Sequence, residues 1–525
     1  MATLAWPVCD VSWVTAALSA LALTLLVVGA HVAHNYWRRM GVAQARSLLF
    51  LGHAGDLLLG ARNLCDVMDD VYHQLEGHPY GGFYMLDRPC LMLRDPDLIW
   101  KMKQDSEHYS RRAMKVQMKG IRVDPISKHL FDVDDERWRE VMQLYAKGFS
   151  PARTERLSCW LEQCGRGVQR ALSRRIQGVG WRDVDLLAVC SRFATDSIGC
   201  CAFGIECGAI DDPRSTYLQL ALKAMYPTRR KNFVEFLSMW HPEVAWIFFF
   251  GYFTHDTYDF FKGVALGILQ YRQKNHLCRD DVMHEFLQAR LNGLASEENT
   301  PTKFSDDSLV AYVFATFGFG LGIVARVLSF CLYELSLHTE VQTRARQQVD
   351  AVLKAHSGQL SYQAIQEMTY LDMVLSETLR LYPVVGGAFV EECTQTHRLS
   401  SPGGSSIVVE AGTRVVAPLF SLLRDPRHFP EPLQFIPERF SPENSAGRHP
   451  GVYIPYGEGQ RRCVAEDFSK TTMKFGLASL LEQFELSPCS RTPHRPPKLH
   501  PQINLLTPKE TLWVRVSQRA WLSCD

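Results

Sequence analysis

The sequence has almost no net charge: 57 Lys and Arg stand against 56 Asp and Glu, a formal balance of +1. No overall field therefore draws the chain to nucleic acid or to an acidic partner. It also has no CxxC pair. Its 15 cysteines run from Cys9 to Cys524 in no spacing that suggests a zinc site or a disulfide framework. Most are expected to be small buried hydrophobes in a reducing compartment. Ser/Gly-rich linkers, low-complexity tracts and internal repeats of 20–50 residues are missing as well. One large domain is the simplest account of the 525 residues, 46% of them hydrophobic.

The most informative absence lies near the start. From Trp13 to Val32 there is no Asp, Glu, Lys or Arg, and Leu, Ala and Val dominate. About 20 such residues in a helix cross the ~30 Å hydrocarbon core of a bilayer. Asp10 precedes the run, and Arg38 and Arg39 follow it. The positive-inside rule then predicts an uncleaved anchor with the bulk of the chain in the cytosol.

Behind the anchor, helical spacing dominates. From Asp307 to Leu353, apolar residues recur three and four apart at Leu309, Val313, Phe317, Leu321, Leu328, Leu332 and Leu335. Tyr362 to Leu381 reads as further helix, stopped by Pro383. Strand signals such as Ser406–Glu410 and Gly412–Ala417 are short and separated by Gly and Pro. The expected fold class is mainly α with small β-sheets. An aromatic run, Trp246 to Phe253, is too short to span a bilayer; it predicts core packing or a second, interfacial membrane contact.

Three motifs follow one another in the C-terminal third: Glu377-Thr-Leu-Arg380, Pro437-Glu-Arg-Phe440 and Tyr456-Gly-Glu-Gly-Gln-Arg-Arg-Cys463-Val-Ala465. On a helix, Glu377 and Arg380 share a face and can pair. Gly457 and Gly459 let the backbone turn tightly and approach a flat partner. Cys463 precedes a helical stretch, whose N–H groups and dipole are expected to lower its thiol pKa. Thiolate ligation to a haem iron supplies electron density that favours O–O cleavage.

With these motifs the chain resembles the cytochromes P450, in particular insect microsomal members of the detoxifying, family 6-like kind. The likeness extends to Phe193–Gly199, Cys201–Cys207 and Tyr370–Glu377. The resemblance implies a P450 fold behind an anchor, with residues 1–35 as membrane anchor, 36–52 as connector and 53–525 as haem domain. It implies haem b, with Cys463 as axial iron ligand, and Tyr456 and Gly459 beside the haem. Arg461 and Trp138 would meet the propionates, and Glu377, Arg380 and Arg439 would form a buried cluster supporting the cysteine loop. It further implies residence in the endoplasmic reticulum membrane, electrons from NADPH through cytochrome P450 reductase, cytochrome b5 as a further partner, and small apolar substrates, xenobiotic or endogenous lipid or hormone. Arg461, Arg462, Lys470 and Arg137 are the candidates for docking an acidic reductase.

The departures from the family pattern lie elsewhere. Where the family carries Ala/Gly-Gly-x-Asp/Glu-Thr, this chain reads Phe319-Gly-Leu-Gly-Ile323. Gly322 and Ile323 replace the acid–alcohol pair that relays protons for O–O cleavage, a role generally contributing about 10²–10⁴-fold, and Phe319 is expected to crowd that face. Met142 stands for a propionate-binding Arg, Glu391 for another basic residue, with Arg139 as a candidate replacement. Ala465 replaces a glycine, and the connector lacks proline. Three readings stay open: a monooxygenase, a peroxide isomerase or dehydratase that needs no delivered protons, and a haem- or ligand-binding relic.

Overall fold

A single helix, Asp306–Leu337, organises the structure, a computed structural model. It describes residues 8–109, 111–112, 124–131, 135–225, 228–248, 252–295, 304–385, 387–401, 403–501 and 505–519. Ser305 caps this central helix by accepting the Ser308 N–H, and Asp306 and Asp307 complement the positive end of its dipole. Its 32 residues extend about 48 Å. The sequence is apolar on nearly every side, so the helix is buried on nearly every side. Helices Leu186–Ile198, Pro125–Phe131, His255–Lys274, Thr216–Met225 and Thr369–Leu381 pack around it. Phe317 stacks on Phe203 with centroids 4.9 Å apart, beside Phe261 and Tyr217. Each such ring contributes about 1.5–3 kcal/mol through burial.

The long periodic stretch divides at His338, where a second helix, Thr339–Ala355, sets off. Residues 362–381 likewise form two helices, Tyr362–Glu367 and Thr369–Leu381, broken at Met368. Neither break carries a Gly or Pro.

Ten strands occur among the described residues: β1 (Tyr80–Met85), β2 (Arg88–Leu93), β3 (Arg111–Arg112), β4 (Trp181–Asp185), β5 (Phe389–Glu392), β6 (His397–Ser400), β7 (Ser406–Val409), β8 (Arg414–Ala417), β9 (Phe484–Ser487) and β10 (Trp513–Gln518). They make a five-stranded sheet ordered β1-β2-β8-β5-β3, a three-stranded sheet β4-β10-β9, and the β6-β7 hairpin. Within the first sheet, β2 and β8 run parallel with Cys90 opposite Arg414, and the other pairs are antiparallel. The mainly helical class with small sheets is thus as expected, and the 13 cysteines from Cys65 to Cys489 are free thiols.

The apolar N-terminal segment forms helix Val8–Ala33, and its Trp13–Ala33 portion, none of it buried, is long and apolar enough to cross a membrane. The connector is not a loose hinge. Trp37 is buried over Gly82, where an added Cβ would lie 2.1 Å from the indole, and Gln44 bridges to the same strand. In the aromatic run, Tyr252 and Phe253 are core residues, whereas Ile247 and Phe248 are exposed on a short 3₁₀ turn. Residues 249–251 lie outside the described residues.

Candidate active site

The Tyr456–Cys463 loop is closed by its own backbone. The Cys463 N–H donates to the Tyr456 carbonyl at 2.8 Å, and the Arg462 N–H to that of Gly459 at 3.2 Å. Gly457 and Gly459 take φ values of 74° and 68°, in the left-handed region. Gly459 meets a second constraint, since a Cβ there would lie 2.2 Å from the Lys103 carbonyl oxygen. Helix Glu466–Gln483 starts immediately beyond the loop.

Cys463 is an exposed thiol framed by protein on most sides. Its pKa moves up, against expectation: burial outweighs the Ala465 N–H and the nearby Arg462 and Lys470 charges, which pull the other way. The helix start is present, but a neutral thiol in a poorly solvated recess is harder to ionise than the helix end can offset.

Trp138 lies on helix Asp135–Gly148, far from the loop in sequence, yet the Arg461 guanidinium sits 3.5 Å over its ring centre. The buried Trp138 indole N–H has no acceptor among the described residues. An indole N–H and a guanidinium side by side are the donors a carboxylate pair requires. Together with an exposed thiol and a glycine-framed loop, they fit haem, with Cys463 toward iron and Trp138 and Arg461 toward the propionates. Tyr456 is half-buried beside the thiol, with the Lys470 ammonium 5.0 Å from its ring centre. Burial drives its phenol pKa well up, so it remains neutral.

At the two positions where the resemblance leads us to expect a basic residue stand Met142 and Glu391; Met142 is half-buried against the apolar core, and Arg139, the candidate replacement, is solvent-exposed. Glu391 has a different outcome. It is buried with Lys103, whose Nζ lies 2.7 Å from its carboxylate and 4.5 Å from the Phe389 ring centre. Lys103 is also the residue whose carbonyl abuts Gly459, so the acid expected to weaken this region is neutralised where it stands. The two are 288 positions apart, and no sequence pattern links them.

The three motif charges converge as expected. Arg380 donates to both Glu377 oxygens, at 2.6 and 2.8 Å, and to the carbonyls of Leu423, Pro432 and Gln434. Glu377 also accepts the Ile436 N–H at 2.9 Å and faces the Arg439 Nε at 3.4 Å. Both Glu377 and Arg380 are fully buried. Burial lowers the Arg439 pKa despite Glu377 beside it. The cluster ties the Pro437–Phe440 turn and its flanking loop to helix Thr369–Leu381.

On the central helix, Phe319 is 46% exposed and Ile323 half-buried. Gly320 packs against Ile198, where an added Cβ would lie 2.7 Å from the Ile198 Cδ1. Gly322 is buried and faces Arg326, which belongs to none of the motifs above although it is a lone charge in an apolar stretch. Among the docking candidates, Arg462 and Lys470 share Glu466, at 2.9 and 2.6 Å, and Arg137 pairs with Glu140.

The chain matches the family model described as Cytochrome P450 over residues 45–515. It is 30% identical to the Drosophila melanogaster protein "Probable cytochrome P450 6a13", over 89% of this chain and 92% of the relative. Against Cytochrome P450 6k1 and Cytochrome P450 9e2 of Blattella germanica, identity is 29% and 28%, covering 90% and 91% of this chain and 91% and 93% of theirs. A thiol loop suited to haem, matched over nearly the whole globular length by these insect proteins, places the chain in the cytochrome P450 family of haem-thiolate monooxygenases.

Proposed function

We propose that this protein is a membrane-anchored monooxygenase that inserts one oxygen atom into a small apolar molecule, with Cys463 as the iron ligand and NADPH electrons arriving through cytochrome P450 reductase, with cytochrome b5 as a further electron donor. Haem supplies the redox iron at which dioxygen is cleaved. The observation that carries the reading is the exposed Cys463 thiol in its glycine-framed loop. Arg461 and Trp138 orient the carboxylate edge of the cofactor, and Glu377, Arg380 and Arg439 hold the loop. Arg462 and Lys470 present the positive charge for an acidic partner, reduced by Glu466 between them. The exposed Trp13–Ala33 helix supports anchoring in the endoplasmic reticulum, and Arg38 and Arg39 just beyond it support a cytosolic body.

Ile323 favours a second reading. With an aliphatic side chain at 323 and none at 322, this turn holds no proton-donating side chain at either position. Rearrangement or dehydration of a lipid hydroperoxide needs none.

The test is the ferrous–carbon monoxide difference spectrum, reduced by dithionite and separately by NADPH with reductase, followed by product analysis. A thiolate-type band in both, with substrate-dependent oxygenated product, is expected. A band with dithionite alone, and hydroperoxide turnover without NADPH, selects the second reading. A haem that binds but turns over neither class leaves a binding protein.

A further inference from the structure

A cavity of about 560 Å³ lies among β4, β10 and the helices Pro151–Ile176 and Leu186–Ile198, and it takes in no residue of the cysteine loop. That volume is in the range of small-molecule sites. Strand alternation builds its wall. β4 pairs antiparallel with β10, placing Asp183 opposite Arg515 and Asp185 opposite Trp513. Val184, Val514 and Val516 are buried in the core, so Trp181, Asp183 and Asp185 share the other face with Trp513 and Arg515. Trp181 stays 42% exposed there.

Four arginines and two aspartates line the cavity, an excess of two positive charges. Both aspartates are already engaged. Asp183 accepts from the Arg515 Nε at 3.1 Å and lies 3.8 Å from Arg491, and Asp185 accepts the Ala188 N–H at 3.2 Å as a helix cap. Arg491 and Arg515 also stand 3.6 and 3.8 Å over the ring centres of Trp513 and Trp181. Arg182 donates to the Arg175 carbonyl at 3.5 Å. The guanidinium groups of Arg175 and Arg192 have neither a hydrogen-bond nor an ion-pair partner among the described residues. Arg192 is half-buried; burial first and Arg175 second lower its pKa, while Asp185 and Asp212 oppose this from beyond ion-pair distance. Two cations that repel each other at a cavity wall are stabilised by a shared anion.

We infer that this cavity binds a nucleotide, with its phosphate on Arg175 and Arg192 and its base against the wall of Trp181, Trp513 and their stacked arginines. A phosphate monoester carries about −1.5 to −2 charges at neutral pH, which matches the excess of two. The guanidinium fork suits phosphate oxygens, and indole and guanidinium planes are platforms on which a base stacks. The site is separate from the iron-binding loop and does not rest on the oxygenation reading.

Calorimetric titration of the full-length haem protein in one non-ionic detergent, with AMP, adenosine and inorganic phosphate, tests it. AMP is expected to bind about tenfold tighter or more than either of the others. Arg175→Gln combined with Arg192→Gln should weaken AMP binding by about tenfold or more. Trp513→Leu should weaken it by about fivefold or more and leave phosphate binding unchanged. Asp183→Asn, which removes a negative charge from the wall, should tighten AMP binding, a change that lost packing would not produce. Should the double arginine variant fail to fold, Arg175→Gln alone, at an exposed position, decides. AMP binding no tighter than that of inorganic phosphate overturns the inference, leaving an anion-attracting patch. It is also overturned by an AMP affinity that survives the loss of both arginines, or by no AMP binding at millimolar concentration.

Discussion

The loop side of the site and the central-helix side are built in different ways. Around Cys463 the charged groups are paired or stacked: Glu377, Arg380 and Arg439 converge, Arg461 stacks on Trp138, and Glu391 has Lys103 as its counter-charge. On the central helix, positions 322 and 323 are Gly and Ile, and a buried cation, Arg326, lies one turn on. Holding a cofactor and delivering protons to it are separable tasks. The first draws on a wide network of buried charges, in which losing one partner is costly. The second is a local task, for which positioned proton donors generally supply about 10²–10⁴-fold.

The largest expected effect falls on the loop side. Cys463→Ala should abolish the thiolate-type carbon monoxide band while circular dichroism stays helical; a retained band would displace Cys463 from its role. Next comes Arg380→Leu, which leaves the buried Glu377 carboxylate short of its main partner and should cost about 3–5 kcal/mol in urea unfolding. Lys103→Met strands Glu391 in the same way, with a loss of about 3 kcal/mol. Adding Glu391→Leu should return most of it. If the double variant is as unstable as the single one, the two side chains are not compensating each other.

Changes on the helix side should alter turnover rather than folding. Ile323→Thr is expected to raise product formed per NADPH by about 10- to 100-fold, within the range of positioned proton delivery. Gly322→Glu alone should give little, since the new carboxylate would be captured by Arg326. Equal gains from both would mean that the arginine does not hold the acid. The smallest effect concerns Glu466. Burial would raise its pKa, but hydrogen bonds from Arg462 and Lys470 hold its carboxyl below the usual range. A depressed folded-state pKa stabilises above the ordinary value of about 4.3 and is lost as pH falls through the lower one. Both cations are largely exposed, so the contribution stays under about 1 kcal/mol. Urea midpoints of wild type and Glu466→Gln should differ at neutral pH and converge on acidification.

Much of the loop side was legible because its information is local. A Gly-x-Gly spacing before a cysteine, and Glu and Arg three apart on a helix, carry their geometry in the sequence. The Trp138–Arg461 contact was legible only through family resemblance, since 323 positions separate them. Lys103 was not legible at all: nothing in an isolated helix, Pro96–Gln104, says which distant strand will face it. The Cys463 pKa moves opposite to expectation for a related reason. The helix start that lowers a thiol pKa can be seen in sequence, whereas the burial that raises it depends on how the whole chain surrounds the sulfur.

The seating of Trp37 on Gly82 has a mechanical consequence. Between Ala33, the last residue of the membrane-length helix, and the buried Trp37 lie three residues, a leash of at most about 14 Å. Even that is partly taken up, because the His34 ring stacks on Tyr84 with centroids 4.5 Å apart. A body moored so closely can pivot on its anchor but cannot drift from it. With that helix in a bilayer, the globular body would be held at a nearly constant height above it.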